Sequence, residues 1–340
     1  MEKLLTFSVA AYNVEKYLDQ LISSIVNAKK AEKIEVLIVN DGSKDRTAEK
    51  TEEYVERYPG IVRLINKDNG GHGSTINTGM QEATGRYFRA LDGDDWINTE
   101  DLEKLLEVLS NESADAILCN YLSCYEDGKI VKEDFQGLQS GKRYALEQIA
   151  PIVQWMRYHT LIYKTSILQE HCIRLDENCF YVDSEFMLFP IPSINSVRFY
   201  EWHIYCYRLG MEGQSVSLEG RLKHAEESYK VTLSLLEMYK NLPPDISSEK
   251  KLYIANGIAG HCIWHFRTLM SYKPAKEKKS KLVEYECLIR ACSEDIYYGM
   301  EKFGKSSKLI KIMRCTKYLA YIPVCIYKQI KSQKQKGKKS

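Results

Sequence analysis

Over the first hundred residues the hydrophobic positions switch repeatedly between two spacings. The apolar run Leu4–Ala10 predicts a buried strand. Behind Asn13, a good helix cap, apolar side chains at Val14, Tyr17, Leu18, Leu21, Ile22 and Ile25 predict a helix over Val14–Asn27. The same alternation predicts a strand at Glu35–Val39, a helix from about Asp45 to Tyr58 stopped by Pro59-Gly60, and a strand at Val62–Ile65. A helix at Ser74–Ala83, a strand at Tyr87–Leu91 and a helix opening near Thr99 complete the series.

Strands and helices in this rhythm predict an α/β fold whose mainly parallel sheet is covered on both faces. Ligands of such sheets bind at the carboxyl ends of the strands. Each polar loop of this segment follows a strand: Asn40-Asp41-Gly42-Ser43, Asp68-Asn69-Gly70-Gly71-His72-Gly73 and Asp92-Gly93-Asp94-Asp95. All three therefore belong on one rim.

After Leu109 the rhythm loosens. Asp115–Tyr125, a turn at Asp127-Gly128 and Lys129–Glu133 read as a hairpin, and Ser196–Arg208 as an aromatic strand. From about Gly220 to Gly304 the pattern is mainly helical. The expected organisation is an α/β domain over 1–220 with halves 1–109 and 110–220, a helical C-terminal region over 221–305, and a basic tail over 306–340.

Charge sharpens that division. The chain carries a net +2, yet 12 of its 48 Lys and Arg lie from Lys302 onward with no acid among them. That leaves 36 bases against all 46 acids in residues 1–301, a formal −10, which excludes a nucleic-acid footprint over the body of the chain. Ten Cys occur without a CxxC pair, and Met1–Thr6 runs into a strand instead of a signal-peptide core, so a reducing cytoplasm is expected. The uncharged stretch Tyr318–Tyr327 is shorter than the ~20 residues of a spanning helix. The 24 Tyr suit sugar or nucleotide surfaces, and equally a half-buried core.

The strongest chemical signal is Asp92-Gly93-Asp94-Asp95. Three carboxylates in four residues repel one another unless a cation compensates, and hard divalent ions take oxygen ligands while bridging to phosphates. A solvated acidic turn before a helix is the plain alternative. Asp41 is placed to accept from a base N–H or a ribose hydroxyl, or to bond its own turn. The glycines beside Asn69 allow close backbone approach at a helix N-terminus, which favours anions. His72 receives no role.

Taken together these residues resemble family 2 glycosyltransferases of the GT-A nucleotide-sugar-binding fold. The matching pieces are Ser8–Asn13 with Tyr17-Leu18, Val39–Ser43 with Asp45 and Thr47, Asn69-Gly70-Gly71, Asn77-Thr78-Gly79, Ala83-Thr84-Gly85 and Leu91–Asp95. They cover residues 4–105 densely and thin afterwards to Tyr181–Phe186 and Tyr205–Ser217. The resemblance implies a nucleotide-binding half over 1–109 and an acceptor half over 110–220. It implies donor contacts at Ala10, Ala11, Tyr12 (against a uracil ring), Asp41 (to the base), Asn69 and Asp92, and a Mn²⁺ or Mg²⁺ ion held by Asp92 and Asp94. It also implies an inverting displacement. Its catalytic base maps onto Asp183, with Glu185 in reserve, because Tyr181-Val182-Asp183-Ser184-Glu185 has Val where the family shows Glu. A local helix-capping role for Asp183 stays open. The family's arginine before the glycine turn is also missing, since Thr75-Ile76-Asn77 stands there. Arg208, ahead of a Gly- and Ser-containing loop through Ser217 that could act as a lid, is the candidate for the diphosphate.

The implied reaction is sugar transfer from a nucleotide-sugar, UDP-sugar favoured, to an acceptor hydroxyl on a glycan, wall polymer or lipid-linked chain. Two alternatives remain: a polyprenyl-phosphate sugar transferase, and a non-catalytic nucleotide-sugar-binding module. For the basic tail, peripheral attachment to the inner face of the plasma membrane and a solvated tail are both open.

Overall fold

A computed structural model describes residues 2–211, 213–302, 304 and 306–326. The chain divides into two compact units, residues 1–212 and 213–340.

In the first unit, strands β1 (Leu5–Ala11), β2 (Ile34–Asp41), β3 (Val62–Lys67) and β4 (Tyr87–Asp92) alternate with helices α1 (Leu18–Val26), α2 (Thr47–Arg57) and α3 (Gly71–Glu82). They pair in the order β3-β2-β1-β4, parallel throughout. Every residue of β2 is buried, as a strand covered on both faces requires. Helix α1 lays Leu18, Leu21, Ile22, Ile25 and Val26 on the sheet.

The expected helix from Val14 starts a turn later, because the residues ahead of it bond the loop after β2. Asn13 takes a left-handed φ of 54°. Three consecutive backbone N–H groups then donate outward: Asn13 to Ser43 Oγ (3.0 Å), Val14 to Thr47 Oγ1 (2.9 Å) and Glu15 to Asp45 Oδ2 (3.1 Å). Asn13 thus ties the β1 loop to the β2 loop and does not cap α1.

Beyond β4 come β5 (Trp96–Ile97), α4 (Thr99–Leu109), β6 (Ala116–Tyr125), β7 (Ile130–Glu133), β8 (Arg143–Ala145), α5 (Leu146–Ile149), β9 (Leu161–Lys164), α6 (Thr165–Glu170), α7 (Asp183–Leu188) and β10 (Ser196–Leu209). The expected hairpin forms as β6–β7. Strand β9 lies antiparallel between β4 and β6, so the sheet continues β4-β9-β6-β10-β5 as one mainly parallel surface. The carboxyl ends of β1, β2, β3 and β4 fall at Ala11, Asp41, Lys67 and Asp92, the rim that the loops predicted.

The second unit is helical: α8 (Leu218–Lys223), α9 (Ala225–Lys240), α10 (Ser248–Leu269), α11 (Lys276–Cys292), α12 (Glu294–Gly299) and α13 (Ser307–Cys315). Its core is α10, which buries Tyr253, Ile254, Ile258, Cys262 and Phe266. Arg314 on α13 grips Glu286 of α11 (2.6 Å) and Glu301 (2.9 Å). Among the described residues no helix is long and apolar enough to cross a membrane. The last 14 residues of the basic tail, 327–340, lie outside the described residues.

Candidate active site

The β4 strand delivers Asp92 to the rim, and Gly93 turns the chain back toward β1, donating its N–H to the Ala10 carbonyl (3.0 Å). A Cβ at Gly93 would stand 2.7 Å from that oxygen, so only glycine permits the contact. Ala10, half-buried, therefore holds the acidic turn through its backbone carbonyl, Ala11 beside it is buried, and Tyr12 projects 47% exposed beyond them.

The three carboxylates of the turn have different neighbours. Asp95 is sealed, accepting from the Tyr205 hydroxyl (2.6 Å) and the Arg208 N–H (2.7 Å). Asp92 is half-buried; its Oδ1 accepts from the Tyr158 hydroxyl (3.1 Å) and lies 3.6 Å from His72 Nε2. Asp94 is half-buried as well, and among the described residues no other side chain bonds its carboxylate. Burial lifts Asp92 to about 6 against a partial offset from Tyr158; burial and then the charge of Asp92 lift Asp94 to about 6. Asp95 is pushed further up by burial and by both neighbours.

This donor set fits a hard divalent ion. Carboxylates whose charge is penalised by burial and mutual repulsion gain most from a cation. Asp92, Asp95 and His159 offer ligand atoms within 4.8 Å of one another. Asp94, expected from the sequence as a metal ligand, lies outside that group, and both Asp95 oxygens already accept hydrogen bonds.

Asp41, expected from the sequence to contact a base, is also engaged within the fold. Its Oδ1 accepts from Lys67 Nζ (2.8 Å) and the Gly70 N–H (2.9 Å), and its Oδ2 from the Gly71 N–H (2.8 Å). Asn69, exposed, donates its side-chain amide to the Asp41 carbonyl (2.9 Å). Asp41 thus caps the start of α3 and holds the Asn69 loop against β2. That loop opens α3 earlier than the periodicity indicated, so His72 and Gly73 are helical.

Arg208, expected at a diphosphate, clamps the acidic turn. Its Nε donates to the Asp94 carbonyl (2.7 Å) and an Nη to Gln20 (2.7 Å), and its guanidinium lies over Trp96 (4.6 Å) and Tyr17 (4.9 Å). The expected lid loop after it runs through Glu212, outside the described residues, and across the division between the two units.

The two candidate bases separate clearly. Glu185 is buried and accepts from the Asp176 N–H (2.7 Å), so it fastens the preceding loop. Asp183 opens α7 half-buried, and the charges that act on it are those of His72 and Asp92. Burial raises its carboxyl and His72 draws it partly back. Val182, in the place of the family's glutamate, is fully buried. The loop reaching Asp183 bends through left-handed residues at Asn178 (φ 53°) and Tyr181 (φ 69°), a strain that tight functional loops commonly carry. It rests so closely on α3 that a Cβ at Gly73 would come within 2.0 Å of the Asp176 carbonyl oxygen.

Sequence reasoning missed the aromatic floor. Tyr158, His159, Tyr205 and Tyr207 pack together beneath the carboxylates; His159 stacks on Tyr207 at 4.0 Å. Arg89, fully buried on β4, donates to the His159 carbonyl and lies over the Tyr205 ring at 5.2 Å. Their proximity to Asp92 depends on β9 inserting beside β4, which no local pattern announces. His72, given no role from sequence, belongs to the cluster through Asp92.

Comparison with known proteins agrees with this geometry. The sequence profile described as glycosyl transferase family 2 matches residues 6–170. EpsH of Bacillus subtilis (strain 168), a provisionally assigned glycosyltransferase, is 29% identical over 208 residues, 59% of this chain and 59% of its own length. EpsJ of the same organism, an uncharacterized glycosyltransferase, is 23% identical over the whole of both chains. Among solved structures, S. aureus TarS 1-349 in complex with UDP-GlcNAc superposes with a TM-score of 0.68 at 21% identity, covering 96% of this chain and 92% of that one. The shared fold is GT-A, a mixed α/β sheet followed by a helical region.

Proposed function

The chain is an enzyme of glycosyl transferase family 2, and from that premise we propose that it moves a sugar from a UDP-sugar onto an acceptor hydroxyl of a cell-surface or wall polymer, with inversion and with help from Mn²⁺ or Mg²⁺. The observation that carries this reading is the convergence of Asp92, Asp94 and Asp183 at the carboxyl edge of a parallel sheet, beside an exposed Tyr12. The fold shared with a UDP-GlcNAc-bound protein supports the choice of donor.

In this reading Tyr12 packs a face against the base, and Asp41, braced by Lys67 and two backbone N–H groups, shapes the base end and reads it. Ala10 and Ala11 let the nucleotide approach the backbone closely, and Asn69 borders the cleft. Asp92 and Asp94 would hold the divalent ion, which when bound neutralises negative charge on the donor's diphosphate. Arg208 keeps the Asp94 backbone in place and adds positive charge behind the turn.

Asp183 takes the proton of the acceptor hydroxyl as that oxygen bonds to the anomeric carbon. The bond from that carbon to the diphosphate oxygen breaks, and its electron pair leaves with the nucleotide diphosphate. Tyr158 hydrogen-bonds Asp92 and shields the cluster from water. The acceptor enters over the second half of the unit. There a cavity of about 220 Å³, lined by residues including Tyr121, Trp155 and Arg157, adjoins His159 through the stacked Tyr121 ring (5.2 Å).

Thermal shift with UDP- and GDP-sugars, with and without Mn²⁺, tests the proposal. A UDP-sugar plus Mn²⁺ stabilises the protein more than either alone, and the acceptor-free mixture slowly releases UDP. A preference for GDP-sugars would overturn the donor assignment, and no response to any nucleotide-sugar would overturn the function.

The pH dependence has a definite sign. Folded-state carboxyls raised to about 6 stabilise the protein fully below the ordinary carboxylate range, and that stabilisation is lost as pH rises through about 6. Mn²⁺ must displace those protons. Its stabilising effect is therefore larger at pH 7.5 than at pH 5, and equal shifts at both would contradict the coupling.

A further inference from the structure

The helical unit contains a cavity of about 180 Å³ with a built interior. Tyr229, Tyr285 and His265 pack against one another as one aromatic cluster, with ring centroids 4.6 Å (His265–Tyr285), 6.0 Å (His265–Tyr229) and 6.1 Å (Tyr229–Tyr285) apart. Lys281, Glu226 and Glu284 stand at its mouth, all exposed. The volume is below the range of about 300–1,000 Å³ that drug-sized ligands occupy, so one small ring fills it.

The polar groups narrow the class of ligand. His265 is 2% exposed, and its Nδ1 is sealed from solvent with no hydrogen-bond partner among the described residues. Burial lowers its pKa to about 3, so the ring is neutral, with one nitrogen to donate and one to accept. Tyr229 is half-buried, and among the described residues its hydroxyl makes no hydrogen bond. The Lys281 ammonium and the Glu226 carboxylate are 3.5 Å apart and largely cancel each other's field. A phosphate would meet two carboxylates, and a quaternary amine would meet the lysine. An uncharged ring with hydroxyls that both donate and accept, and with C–H faces that pack on aromatic rings, meets neither penalty.

We propose that this cavity is a second carbohydrate-binding site, taking one neutral pyranose ring of a glycan against the aromatic wall that Tyr229 presents in front of Tyr285 and His265. The assignment goes beyond the transfer reaction and rests on that reading only in taking the glycan to be the acceptor polymer. Lys281 and Glu284 then grip hydroxyls at the rim, and the pocket retains a polymer chain between turnovers. A single ring in so small a site gives weak binding, and attachment gains strength when one chain engages both sites.

The test uses the full chain saturated with UDP and Mn²⁺, so that the donor site is filled. Methyl glycosides of glucose, galactose and N-acetylglucosamine are titrated and followed by saturation-transfer NMR, with choline and inorganic phosphate as further probes. At least one glycoside binds the wild type. Tyr229→Ala and the surface substitution Glu284→Gln each weaken that binding tenfold or more, while UDP affinity measured by calorimetry stays within twofold. If no glycoside binds, if choline or phosphate binds instead, or if both variants bind like the wild type, the pocket is not a sugar site. Loss of UDP binding in the wild type would point instead to failure of the transferase reading.

Discussion

Asp183→Asn removes turnover by a factor of about 10²–10⁴, the contribution typical of a positioned base, and leaves UDP-sugar affinity within about twofold. The asymmetry follows from position. Asp183 opens α7 half-buried and is acted on by the charges of His72 and Asp92, and the proposed role as base rests on that neighbourhood. Glu185, two residues on, is the control. It is buried and holds the Asp176 N–H at 2.7 Å, so Glu185→Gln lowers the melting temperature and leaves the pH profile of kcat in place. Rate assays at saturating donor and calorimetry on both variants check the pair. A turnover-competent Asp183→Asn, or a pH profile that moves with Glu185, would reverse the assignment.

Asp94→Ala acts on donor and metal together. A divalent ion at a departing diphosphate is worth several kcal/mol, so kcat/KM falls by about 10³-fold or more and Mn²⁺ no longer tightens UDP binding. Stability moves the other way. Removing one of three mutually repelling, buried carboxylates relieves cost at neutral pH, so the metal-free variant melts at or above the wild-type temperature at pH 7.5. Asp95→Asn differs in kind. It weakens the bonds to Tyr205 and Arg208 that shape the turn, and it lowers stability as well as activity. UDP titrations with and without Mn²⁺, run beside thermal melts, distinguish the two residues. Undiminished Mn²⁺-dependent UDP binding by Asp94→Ala would contradict the role given to it.

The rim of the sheet was legible because its evidence is local. Buried strands read as short apolar runs, such as Val36–Val39, and each ends at a polar loop whose place follows from parallel topology alone. Helix starts were less legible. Asn13 has the chemistry of a cap, and only its tertiary bonds to Ser43 and Lys44 show that it serves another loop. The same holds at Asp41, where the carboxylate meets Lys67, Gly70 and Gly71 across loops distant in sequence.

The floor of the site was hidden for a further reason. Tyr158 and His159 lie in a weakly patterned segment, 66 residues from Asp92 in the case of the Tyr158 bond, and reach it because β9 reverses direction between two strands of the opposite sense. A propensity or period assigns a residue to an element but says nothing of which strand that element will join. Arg208 shows the converse. Its sequence context suggested a diphosphate contact, whereas the side chain braces Asp94 and Gln20, 114 and 188 residues away along the chain, and stacks on Tyr17 and Trp96.

The account stands on the acidic turn as a cation-binding edge of a sugar-nucleotide site. Anomalous diffraction from crystals grown with UDP-sugar and Mn²⁺ tests this most directly. The account predicts a manganese peak bonded to the Asp94 carboxylate and to donor phosphate oxygens, with Asp92 alongside and the anomeric carbon facing Asp183. A donor bound elsewhere, or a manganese peak that neither Asp92 nor Asp94 touches, would contradict it.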